Sequence, residues 1–73
     1  MMHYTIEVKW SEQDQTYVVI LPEWVGRVLM PVTDGETYEE AARKGAEVLE
    51  TLITDAQAHG EALPEPATFE AVL

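Results

Sequence analysis

Two hydrophobic periods divide this chain. From Thr37 to Gly60 the apolar positions recur every three or four residues, at Tyr38, Ala41, Ala42, Gly45, Leu49, Leu52, Ile53 and Ala56, with Val48 at the edge of the stripe. That spacing predicts one long amphipathic helix. Thr37 followed by Glu40 is a capping-box pattern: the hydroxyl accepts from a first-turn N–H and the carboxylate reaches back to the N–H of the cap residue. Gly60 supplies a left-handed stop, and His59 suits the negative end of the helix dipole.

Before Thr37 the period is two. Tyr4, Ile6, Val8 and Trp10 alternate with Thr5, Glu7 and Lys9, which predicts a half-buried strand over residues 3–10. A polar turn at residues 11–15 leads into residues 16–21, a β-branched and aromatic run, so the two segments should form an antiparallel hairpin. The second strand is apolar on both faces, which places it centrally. After a break at residues 22–26, residues 27–32 read as a third strand, whose Pro31 marks an edge or a bulge. Residues 33–36 form a polar loop into the helix. Beyond Gly60, Pro64 and Pro66 stiffen an extended connection, and residues 67–73 read as a strand, a short helix or a frayed tail, with an extended segment favoured.

The fold class expected is therefore α+β: a three-stranded antiparallel sheet with one long helix packed on one face, in a single domain of residues 1–73. A helix of about 22 residues spans roughly 33 Å and covers one side of such a sheet. The opposite face then presents one apolar set of strand two, together with either Leu29 or the set Val28, Met30 and Val32. Adjacent apolar residues on a sheet face mark an interface, so a partner or a second copy is expected there, with a folded-back tail as the alternative.

Composition narrows the function classes. Fourteen acidic residues against four basic ones give a formal net charge of −10 over 73 residues. Direct nucleic-acid binding, which rests on Lys and Arg neutralising phosphates, is disfavoured. Residues 45–73 hold six acids and no base, which would steer a basic protein toward that half. With no cysteine to staple so small a domain, oligomerisation is the expected stabiliser. No stretch approaches the ~18 apolar residues of a membrane span, so a soluble protein is expected, with the cytoplasm as the default home of a chain without cysteine.

Catalytic patterns are poorly supported, and no catalytic residue, cofactor or metal site is expected. His3 and His59 lack partners at metal-ligand spacing. Ser11 sits in a polar turn without a nucleophile-elbow sequence, and Gly26 and Gly35 form no phosphate-cradling loop. Glu39 and Glu40 are explained by the helix dipole and by Arg43 and Lys44 four residues on. A metal-dependent hydrolase would need Asp34 and Glu36, which flank a turn glycine, to be completed by the distant Glu7. Trp10 and Tyr17 fit hairpin packing, whereas Trp24, in the Pro22-Glu23-Trp24-Val25-Gly26 connection, is a candidate interface anchor.

Five stretches in order carry a resemblance: Tyr4-x-Ile6-x-Val8-x-Trp10, Gln15-Thr16-Tyr17-Val18-Val19, Leu21-Pro22-Glu23-Trp24-Val25-Gly26, Gly35-Glu36-Thr37-Tyr38-Glu39-Glu40-Ala41 and Leu63-Pro64-Glu65-Pro66. Together they resemble the N-terminal domain of HicB-like antitoxins, over essentially the whole chain. The resemblance implies a partial ribonuclease-H-like β-β-β-α-β fold without nuclease activity, hence a fourth strand in the tail. It further implies a non-enzymatic partner of a small basic ribonuclease toxin of double-stranded-RNA-binding fold. Many members carry a C-terminal DNA-binding domain, for which a chain ending at Leu73 has no room. The path from Arg27 to Gly35 is longer here than in the family, so strand three should be longer or bulged. The contact candidates are Trp24, Arg27, Leu29, Glu47, Glu50 and Asp55, on an acidic dimer or other homo-oligomer that masks the toxin. The alternative is an orphan interaction module with the same fold and no toxin.

Overall fold

In the computed structural model, which describes residues 3–71, the first hairpin is β1 (Glu7–Ser11) against β2 (Thr16–Ile20). Its turn is held locally. Asp14 N–H donates to the Ser11 hydroxyl oxygen (3.2 Å), Gln15 N–H donates to the Ser11 carbonyl (2.8 Å), and Gln15 adopts a φ of 55° to close the loop. Ser11 is therefore turn chemistry, as its context predicts. β2 is central in the order β1-β2-β3, as expected from its two apolar faces.

The third strand lies further along the chain than its apolar residues suggest. Residues 27–32 form no strand, and β3 is Thr33–Gly35, paired as Val19 with Thr33, Val18 with Asp34 and Tyr17 with Gly35. Pro31 has no N–H to give a ladder. Val32 N–H, the first available after it, bonds the Val19 carbonyl at 3.0 Å, and pairing runs on from there. Val28, Met30 and Val32 turn toward the core while Leu29 is 91% exposed.

α1 (Tyr38–Ala58) packs on the sheet. At its start the Thr37 hydroxyl accepts from Glu40 N–H at 3.0 Å. The Glu40 carboxylate accepts from Glu36 N–H at 2.9 Å, one residue before the cap rather than at the cap itself. At its end Glu61 N–H bonds the Ala56 carbonyl (2.9 Å) and Gly60 N–H that of Gln57 (3.2 Å), with Gly60 at φ 68°. This is a Schellman stop, which a residue bearing a Cβ would strain. His59 contacts the Asp55 carbonyl through Nδ1 at 2.8 Å, and that bond, followed by the Asp55 charge, raises its pKa.

Val19, Leu21, Trp24 and Ala41 form the core, ringed by Tyr4, Ile6, Val8, Val48, Leu49, Leu52 and Ile53. Three expectations about the helix face change. Tyr38, on the expected stripe, is 62% exposed. Ala42 is exposed and Val48 belongs to the packed ring. Gly45 is buried because the helix axis comes so close to the sheet that an added Cβ would lie 2.8 Å from Val19 Cγ1 and 3.2 Å from Ile6 Cγ2.

The tail crosses to the start of the chain without forming a strand in residues 61–71; residues 72 and 73 of the expected fourth strand lie outside the described residues. Pro64 and Pro66 remove two ladder donors, and side chains hold this segment instead. Tyr4 Oη donates to the Pro64 carbonyl at 2.6 Å, Arg27 Nη1 donates to the Ala62 carbonyl at 2.6 Å, and Ala67 N–H donates to Glu23 Oε2 at 3.0 Å. Thr5 N–H and its hydroxyl also donate to Glu23.

Candidate functional site

Cross-strand partners share a face, so the register sorts the sheet. Val8, Val19 and Thr33 lie on the α1 side with Trp10 and Tyr17, whereas Glu7, Lys9, Val18, Ile20 and Asp34 lie on the other. The apolar set left on the open face is thus Val18 and Ile20, both half-buried between neighbouring strands. Neither Leu29 nor the set Val28, Met30 and Val32 joins them in a strand. Lys44 Nζ stands 3.6 Å from Asp34 Oδ1 at the β3 side.

The loop after β2 places the next candidates. Pro22–Trp24 makes a single 3-10 turn, with Trp24 N–H bonded to the Leu21 carbonyl at 2.9 Å. That turn swings the Trp24 ring inward to 3% exposure, edge-on to Tyr4 at 5.6 Å. Trp24, expected at an interface, is a core residue of this chain. Its lack of helical or strand periodicity hid this, because a 3-10 turn between elements shows no period. The indole N–H finds no acceptor among the described residues. The Arg27 guanidinium lies 5.7 Å from the ring centroid, within cation–π range.

Trp24, Arg27 and Asp55 border one groove of about 540 Å³, together with Val28, Leu52, Ala56, Glu61 and Ala62. The fold therefore brings together three of the six contact candidates, from the loop and the last turns of α1. Glu50 and Asp55 flank a shallow depression on α1 floored by Thr51, Thr54 and Ala58. Glu47 pairs with Arg43 at 3.2 Å, an exposed i,i+4 pair worth little in stability. Leu29 stands apart with Val25, both exposed at the tip of the loop. The six acids of residues 45–73, Glu47, Glu50, Asp55, Glu61, Glu65 and Glu70, are all exposed.

The Glu23 carboxyl is partly buried and holds its neighbours by hydrogen bonds. Partial burial pushes its pKa up. The bonds to its ionised form, from Ala67 N–H first and then from its own backbone and from Thr5, outweigh burial and leave it lowered. Its role is to latch the tail to Thr5, ahead of β1. Burial pushes the Tyr4 phenol up, against the opposing charge of Arg27.

Among the described residues no three His, Asp or Glu side chains converge as a metal site, and no helix is long and apolar enough to cross a membrane. Comparison of the chain with protein-family models, with curated proteins and with solved structures finds no match.

Proposed function

We propose that this chain is a non-enzymatic, antitoxin-like protein of the cytoplasm that binds and neutralises a small basic ribonuclease and acts as a dimer. The observation that carries the reading is electrostatic. All six acids after Lys44 are exposed, and no base accompanies them. Two of them, Glu50 and Asp55, flank one shallow depression on α1. Such a surface raises the encounter rate with a basic protein and repels nucleic acid. The ordered motifs from Tyr4 to Pro66, which resemble HicB-like antitoxins, supply the class of partner.

The contact surface is narrower than the six sequence candidates. Glu47, Glu50 and Asp55 offer the acidic part and Leu29 the apolar part. Arg27 is already engaged with Ala62 and the Trp24 ring. The test is co-expression with any small basic protein encoded beside this one. A stoichiometric complex that restores growth, weakened by Glu50→Lys with Asp55→Lys and by added salt, is expected. Undiminished toxicity with no complex would remove the antitoxin reading and leave an interaction module without a toxin.

A further inference from the structure

We propose that the free edge of β1 is a self-association surface on which a second copy of this chain pairs antiparallel, about a two-fold axis at Val8. This deepens the dimer in the reading above and stands independently of the toxin. The sheet order leaves β1 with one unpaired side. Ser11 directs its carbonyl to Gln15 in the turn into β2 and faces Thr16 across the hairpin. Odd positions therefore address β2, and Ile6, Val8 and Trp10 turn their N–H and C=O groups to the open edge.

Charge complementarity favours a second copy as occupant and, among centres at residues 7–9, a single register. A lysine on an edge strand ordinarily deters pairing. Here Glu7 lies two residues before Lys9 on the same face, and neither makes an ion pair among the described residues. Pairing centred on Glu7 would oppose two glutamates, and pairing centred on Lys9 would oppose two lysines. Centred on Val8, each Glu7 meets the partner's Lys9 in a non-hydrogen-bonded pair, where side chains lie closest. On the α1 side the same register sets Val8 on its copy and Ile6 on the partner's Trp10. That flank has room, because α1 packs over β3 and β2 more than over β1 and leaves Trp10 46% exposed. The product is a continuous six-stranded sheet with both helices on one face.

Sedimentation equilibrium of the full chain tests the proposal. The wild type should be a dimer. Lys9→Glu and Glu7→Lys, each alone, should weaken it about tenfold or more through like charges directly opposed, and an equimolar mixture of the two variants should recover it. Circular dichroism checks that each variant folds. Hydrogen exchange at the Ile6, Val8 and Trp10 amides of the wild type needs no variant and should slow as protein concentration rises. A monomeric wild type, a dimer indifferent to both charge reversals, or exchange independent of concentration would each overturn it. A β1 dimer that captures no basic ribonuclease keeps this interface and removes the antitoxin reading, while a toxin complex with a monomeric chain does the reverse.

Discussion

Gly35 and Gly45 show how single atoms set the distance between sheet and helix. At Gly45 an added methyl would meet the ends of two side chains, Val19 and Ile6. At Gly35 it would meet backbone, with Ala41 N at 2.5 Å and Ala41 Cα at 2.8 Å. Side chains can re-pack and backbone cannot shift without moving the helix. Gly45→Ala should therefore destabilise by about 1–3 kcal/mol of overpacking, less up to about 1 kcal/mol regained in helix propensity. Gly35→Ala should cost more, and urea midpoints of the two variants give the order directly. The periodic pattern placed Gly45 on the buried stripe, yet nothing in a linear pattern distinguishes a glycine tolerated there from one that the packing distance demands. Trp24 is the converse case. Its residue type and its break-rich neighbours suggested exposure, and a turn of three residues decided burial.

Among the elements, the helix was the most legible because its signals are local. Thr37, Gly60 and the stripe between them act within a few residues of themselves, and the observed 21-residue helix begins and ends where they stand. Thr37→Ala removes the acceptor of Glu40 N–H and should lower unfolding free energy by about 0.5–2 kcal/mol, read by chemical denaturation followed at the helix signal. The third strand was misplaced for a physical reason of the opposite kind. Strand pairing depends on which N–H groups face a neighbour, and Pro31 postponed that pairing to Val32 and beyond despite the more apolar residues before it. The tail likewise had strand-compatible residues, but its prolines and its bonds to Tyr4, Glu23 and Arg27 hold it outside any ladder.

Over the whole molecule, the tail and the start of the chain are joined at Glu23, a carboxylate that receives donors from residues 18 positions before it and 44 after it. Because the folded pKa is lowered, this latch stabilises fully above the ordinary glutamate pKa of about 4.3, and its contribution is lost as pH falls through the folded value. The urea midpoint should drop as pH is lowered from neutrality toward about 3, and Glu23→Gln should remove part of that slope. A slope identical in Glu23→Gln would show that the latch contributes nothing to the linkage. The acidic contact candidates Glu47, Glu50 and Asp55 were legible because exposure of charge on a helix face follows from its period. The grouping of Asp55 with Arg27 and Trp24 around one groove was not, since it joins the loop after β2 to the last turns of α1.

By itself the sequence determined the α+β class, the hairpin, the span of the helix and the acidic, one-sided surface, because these rest on period, capping and charge, which are properties of neighbouring residues. Only the tertiary structure decided where β3 pairs, that Trp24 is core, that the tail is latched rather than paired, and which strand edge stays open. Those features depend on hydrogen-bond direction and on packing distance between segments far apart in the chain, and no local pattern encodes either.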